Sequence, residues 1–176
     1  MLFPHTESGQ IELRPAGAKD AARVYEILFR LGHGGLPLLD RYADSFGQGL
    51  SACFLVHRKD TGEVAGFSTL SEPSVAGHVT AEVHLGGQPD EIRRDAAVLT
   101  VNFAFAMWRI KKVYFHAIDP SPAGIGFAGP DAAVVEAEAV LPRHTYFHGR
   151  TWDVHVFAVY RERWDDHGVD LVKNIV

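Results

Sequence analysis

The chain has 176 residues, 47% of them hydrophobic and 22% charged, with a formal net charge of -5. This is one domain's worth of ordinary globular composition, which excludes a disordered or collagen-like chain. The acidic balance excludes a broadly basic nucleic-acid binder. Cys53 is the single cysteine, so no internal disulfide forms, and a reducing, cytoplasmic setting is expected. The first ten residues lack the apolar core of a signal peptide. The longest apolar stretch, 96–108, contains Thr100 and Asn102 and is too short to span a bilayer. No membrane partner is expected.

In chain order, residues 1–9 read as a loose arm. Residues 10–14 place Ile11 and Leu13 on one face and predict a short strand, ended by Pro15. Residues 19–31 set Ala22, Val24, Ile27, Leu28 and Leu31 near helical spacing, with Asp20 at the start and Gly32 at the stop. A Gly-rich break follows at 33–37, then a shorter helix over 38–46. Residues 51–57 and 64–70 predict a hairpin around Asp60-Thr61-Gly62. Residues 78–85 alternate strictly, Val79, Ala81, Val83 and Leu85 against His78, Thr80, Glu82 and His84. Gly86-Gly87-Gln88-Pro89 breaks that strand. Residues 90–109 are the strongest helix, with a stripe of Ile92, Ala96, Leu99, Phe103, Ala106 and Ile110. Residues 112–118 predict a buried strand, 119–130 a Pro/Gly loop, and 134–141 and 152–160 two strands around the turn His148-Gly149-Arg150. Strand 78–85, helix 90–109 and strand 112–118 make a right-handed crossover. From residue 162 the chain reads as a polar tail, and 165–176 as its loose end. One domain, 1–176, is expected. Its architecture is an α/β (α+β) mixed, mostly antiparallel sheet of six or seven strands flanked by helices.

Two stretches carry a family resemblance. The opening IELRPAGAKDAARVYEI pairs a strand ending in R-P with an acidic helix start. The closing stretch holds Val140, Leu141, Arg143, His144, Gly149, Arg150, Trp152, Asp153, Arg161 and Trp164. Together with the element order, they resemble the GNAT superfamily of N-acyltransferases, in particular its RimJ/RimL-like branch. The resemblance implies the GNAT fold and transfer of an acyl group from acetyl-CoA or another acyl-CoA to a small-molecule or peptide amine. It implies that strands 78–85 and 112–118 splay to admit the donor's pantetheine arm. Val83, Leu85, Gly86, Gln88, Arg93, Arg94, Asp95 and Ala96 would then be the donor-binding residues.

The donor turn departs from the family pattern. Where the family places glycines that let backbone N–H groups cradle a pyrophosphate, this chain has Arg93 and Asp95. Asp90, Glu91 and Asp95 put negative charge beside the anion, and Arg93 and Arg94 would offset it as side-chain clamps. The loop 119–130 replaces a long helix of the family. These departures bring in two further readings: a donor acyl group on a carrier protein or tRNA, and a GNAT-like domain that binds without catalysis.

Glu82 and His84 are the candidate general base, on one face of the central strand, because attack by an amine requires removal of its proton. A neutral histidine suits that role near pH 7, and a glutamate does if desolvation raises its pKa. The competing reading is a solvated face. Tyr114 and His116 share a face of the next strand. Either is a candidate general acid to the departing thiolate, a role the resemblance gives to a tyrosine, with core packing of Tyr114 and a satisfied histidine at His116 as the competing readings. Phe29, His33 and Tyr42 are candidates for the acceptor side. Gly124-x-Gly126-x-x-Gly129 lacks the helix a dinucleotide fingerprint needs and reads as a loop. Ten histidines without metal-ligand spacing predict no metal. Cys53 reads as a small buried hydrophobe. Oligomeric state is open, a homodimer having base rates alone behind it.

Overall fold

The computed structural model describes residues 2–176. Seven strands form one sheet: β1 (Ile11–Pro15), β2 (Leu50–Arg58), β3 (Val64–Ser71), β4 (His78–Leu85), β5 (Lys112–Ala117), β6 (Val135–Phe147) and β7 (Arg150–Tyr160). Their order across the sheet is β1-β2-β3-β4-β5-β7-β6. Every pairing is antiparallel except β4 with β5. This is the fold expected from the sequence.

The parallel pair is short. His78, Thr80 and the residue between them face Lys112, Tyr114 and the residue between those, and pairing then stops. Beyond that point β4 stays paired to β3 up to Leu85, and β5 stays paired to β7 up to Ala117. The two central strands therefore diverge.

Helix α1 (Ala21–Arg30) and helix α2 (Leu39–Asp44) cover β2 and β3 on one face, burying Val24, Leu55 and Phe67. Asp20 closes the turn before α1 by accepting the Gly17 N–H (2.9 Å). Gly32 ends α1 in the left-handed region (φ 76°), and the His33 N–H donates back to the Leu28 carbonyl (3.1 Å). That is a Schellman-type cap, and it sets where His33 points.

Helix α3 (Asp90–Met107) lies across the other face. The predicted stripe was too narrow: beside it Asp95, Ala97, Val98, Thr100, Val101, Asn102, Ala104 and Phe105 are buried as well. The reason is that α3 has covers besides the sheet. Residues 2–9, expected to be loose, dock on it: Ser8 donates to Asp95 (2.6 Å) and Asn102 donates to the Phe3 carbonyl (2.7 Å). The expected polar tail is also corrected. Helix α4 (Arg161–Arg163), a π-turn (Trp164–Gly168) and helix α5 (Val169–Lys173) run on as one helical segment. It packs Trp164, Val172 and Ile175 into the core.

The C-terminal sequence pattern is largely structural. Arg161 donates to the carbonyls of Phe105 (2.9 Å), Trp108 (2.6 Å) and Ile110 (2.7 Å), satisfying the frayed end of α3 and favoured by its dipole. Trp164 is fully buried, and a Cβ on Gly168 would sit 2.2 Å from its ring. β6 runs six residues further than the strand predicted over 134–141. A register shift lies between Leu141 and Thr145. There Arg143 (φ 49°) donates its N–H to Asp153 (2.8 Å), a bulge that lets the strand resume.

Arg161→Ala leaves several carbonyls without a donor and should lower unfolding stability in urea by roughly 2–3 kcal/mol. Arg161→Lys should recover little of it, because one ammonium lacks the guanidinium's fork of donors.

Candidate active site

The divergence of β4 and β5 opens a cavity of about 390 Å³. Its walls include Ala81, Glu82, Val83 and His84 from β4, and Phe115, His116 and Ala117 from β5. Gly124 and Ile125, together with His33, Thr145 and Phe147, complete the lining. A larger cavity of about 640 Å³ lies between the N-terminal arm, α3 and the C-terminal helix. It holds none of the residues picked for chemistry from the sequence, whereas the smaller one brings several together beside unpaired main chain.

The strand alternation places the side chains as expected. Val79, Ala81 and Leu85 are buried under α3, and Val83 packs against them. Glu82 and His84 project to the opposite face. His84 Nε2 lies 3.1 Å from Glu82 Oε2. Its ring stacks on Phe67 (4.6 Å between centroids) and meets the edge of His33 (4.9 Å). A Cβ on Gly66 would fall 2.0 Å from the His84 carbonyl oxygen. β3 therefore needs glycine there to let β4 come so close.

The charge state of Glu82 differs from the sequence expectation. The carboxylate is open to the cleft, 59% exposed. Its hydrogen bond to His84 holds its pKa below the ordinary glutamate value, outweighing desolvation, with His33 and His116 adding to the effect. Glu82 is thus ionised at neutral pH. His33 shifts down as well, first through burial and then through repulsion by His84, so it stays a neutral imidazole near pH 7.

Tyr114 is not brought into the cavity. Its phenol donates to Glu138 (2.7 Å), and Lys112 sits 4.5 Å above its ring. Tyr160 donates to the same carboxylate. This cluster occupies the paired end of β4–β5, where a buttress is needed. His116, Asp119 and Thr145 are the polar side chains on the β5 side of the cavity. Phe29 is 69% exposed, and Tyr42 packs edge-on to Tyr25 and Phe46 away from the cavity. Of the three acceptor-side candidates only His33 reaches the cavity.

The donor turn is built differently from its sequence reading. Gly86 and Gln88 lie on it, and Gln88 is held by Arg58 (3.2 Å). Asp95 turns inward to Ser8, with burial raising its pKa, so its charge does not face the turn. Ala96 is fully buried beneath it. Arg94 pairs with Asp131, whereas Arg93, the other arginine expected as a clamp, makes no ion pair among the described residues. Two 3₁₀ turns, Pro122–Ile125 and Gly129–Val134, replace a helix over this end of α3. A Cβ on Gly126 (φ 96°) would sit 2.8 Å from the Arg93 carbonyl oxygen. A recess of about 160 Å³ remains, lined by Asp90, Glu91, Arg93 and Arg94 among others.

Two residues were missed in the sequence, Phe147 and Thr145. Only the length of β6 brings them to the cleft, and Pro142 and the bulge hid that length. The His148-Gly149 turn was the available signal, since a two-residue hairpin turn with positive φ at both positions (50° and 78°) fixes strand register on either side.

Glu82 should titrate below the ordinary glutamate range when followed by carboxyl carbon NMR, and His84→Ala should move it back up. The sign follows from linkage: a depressed folded pKa contributes stability above the unfolded value, and that contribution is lost as pH falls through the folded one. An unchanged Glu82 pKa in His84→Ala would remove His84 as the cause.

No family model matches the chain, and no curated protein matches it. Solved structures do. A chimera of the spermidine N-acetyltransferase SpeG from Vibrio cholerae superposes with a TM-score of 0.74 at 14% identity, covering 90% of this chain and all of that one. SpeG in complex with CoA and spermine gives a TM-score of 0.70 at 15% identity, covering 88% and 98%. A probable acetyltransferase of the GNAT family from Chromobacterium violaceum gives 0.65 at 18%, covering 91% and 87%. Among the described residues no helix is long and apolar enough to cross a membrane. The chain has the fold of the GNAT acetyltransferases.

Proposed function

We propose that the protein is an N-acyltransferase that moves an acyl group, acetyl in the simplest case, from acyl-CoA to a primary amine by direct attack. The carrying observation is the gap between β4 and β5, with Glu82 and His84 on its wall. The main chain of residues 81–85 facing that gap has no strand partner. An extended donor with amide groups pairs there like an added strand. Val83, Leu85 and Gly86 would supply these main-chain contacts, and Gln88, Arg93, Arg94, Asp95 and Ala96 would form the turn around the nucleotide end. The SpeG structure with CoA supports this assignment by likeness of fold.

The reaction balances on these groups. The amine reaches Glu82 as an ammonium and loses one proton through Glu82 and His84 to solvent; its lone pair then forms the N–C bond to the thioester carbonyl. One nitrogen proton passes to the ionised Glu82, with hydrogen-bonded His84 sharing it. A backbone N–H of β4 stabilises the oxyanion. The C–S bond then breaks, and the leaving thiolate is protonated from the β5 side. His116 lines the cavity on β5 and would supply that proton, whereas Tyr114 lies outside it with its phenol hydrogen-bonded to Glu138. The C-terminal pattern from Val140 to Trp164 supports a place near the RimJ/RimL-like branch. A reducing cytoplasmic location and a homodimer complete the expectation.

One observation favours a second reading. Arg94 is consumed by Asp131 and the turn has no glycine cradle, so the nucleotide end is weakly served. A donor acyl group on a carrier protein or tRNA needs no such cradle. A binding domain without chemistry is the remaining alternative, and acyl transfer from any donor excludes it.

The test is thiol release from acetyl-CoA in the presence of a panel of amines. Glu82→Gln should lower kcat by about 10²–10⁴-fold and leave donor Kd unchanged. Turnover near wild type would remove Glu82 as the base.

A further inference from the structure

The acceptor side of the cleft is roofed. The loop after α1 and the tip of the β6–β7 hairpin meet above it. A Cβ on Gly32 would lie 3.1 Å from His148 Nε2. The rings of His33 and Phe147 are 6.3 Å apart, and Phe147 is held edge-on by His148 at 4.1 Å. Three rings, those of His33, His84 and Phe147, thus form the acceptor wall. Their placement is specific: the Schellman-type cap of α1 aims His33, and the positive-φ turn after β6 aims Phe147.

Charge on this wall is sparse. Glu82 is its one carboxylate. Asp119, the second carboxylate of the cavity lining, stands across from it and accepts the Ser121 N–H (2.8 Å). A polyamine carries several ammonium groups and needs a carboxylate for each that loses water. A protein N-terminus has to lead its chain out past the loop after α1 and the hairpin tip, which approach each other at Gly32 and His148. The cavity of about 390 Å³ also has to hold the reacting end of the donor, which leaves room for a small acceptor only.

We infer that the acceptor is a small amine bearing one positive charge on an aromatic or apolar body, its nitrogen at Glu82 and its body against the rings of His33, His84 and Phe147. The inference rests on the acyl-transfer reading for its place in the reaction. It commits to a substrate class that the fold does not imply. Burial of an apolar body supplies the affinity, edge-to-face ring contacts add orientation, and the single carboxylate sets which end enters first.

The test separates binding from chemistry. Phenethylamine, spermidine and the dipeptide Gly-Gly are titrated into the intact protein by calorimetry, and each is then offered with acetyl-CoA in the thiol-release assay. Phenethylamine should bind at least tenfold tighter than either competitor. Phe147→Ala and His33→Ala should each weaken it by about tenfold while leaving acetyl-CoA binding unchanged. Phe147→Leu, which keeps the apolar volume and the fold, should lose less. Spermidine or Gly-Gly binding as tightly as phenethylamine would overturn the inference, as would ring variants that bind phenethylamine like wild type. Acetylation of spermidine or Gly-Gly in preference would overturn it and leave the acyl-transfer reading standing. Selective phenethylamine binding without turnover would uphold the ring-walled site and count against acyl transfer from CoA.

Discussion

The pairing of β4 with β5 ends after three residues, and the rest of the site depends on that. In a sheet where every other neighbour pairing runs for five or more residues, two central strands are left with main-chain groups facing each other across a gap. Unpaired main-chain groups at the centre of a sheet are costly unless water or a ligand meets them. The divergence is enforced from both sides. β4 is drawn to β3 by the glycine at 66, which admits the His84 carbonyl closely. β5 is drawn to β7 along its whole length, and Phe115 is anchored against Phe127 from the loop behind it. The Lys112–Tyr114–Glu138–Tyr160 cluster locks the closed end. The open end is what remains for a ligand.

Much of this was legible in the residues, because period and punctuation carried it. The strict alternation of 78–85 separated Val79, Ala81 and Leu85 from Glu82 and His84, and both faces fall as read. Gly32 as a helix stop was legible too, and the cap it forms places His33. What was not legible is what depends on partners distant in sequence. Asp95 looked like a charge on the donor turn. It lies on the inner side of α3 because Ser8, 87 residues earlier, supplies its hydrogen bond. Arg94 looked like a free clamp, and Asp131 takes it. Tyr114 looked like an acid facing the cleft, and its phenol instead donates a hydrogen bond to Glu138 on β6. The reach of β6 was hidden by Pro142 and by a bulge that only Asp153 explains.

The turn between β4 and α3 combines an ordinary backbone path with unusual side chains. The backbone runs from β4 through Gly86 and Gly87 into α3, whose N-terminus borders the recess beside Arg93. Pro89, Asp90 and Glu91 open the helix, and two acidic residues in the first turn satisfy its dipole internally. An anion arriving there competes with them. Arg93, the clamp left without an ion pair, is the counterweight. The balance sits in a few side chains, whereas the gap between the strands is set by the sheet itself.

Hydrogen exchange at the β4 amides with and without acetyl-CoA tests the central claim most directly. The amides of residues 81–86 that face the gap should exchange faster than those paired to β3, and millimolar acetyl-CoA should slow them selectively. That result would place the extended arm of the donor between β4 and β5. Exchange unchanged at these amides while acetyl-CoA binds elsewhere, or no binding at that concentration, would contradict the assignment of the gap as an acyl-CoA site.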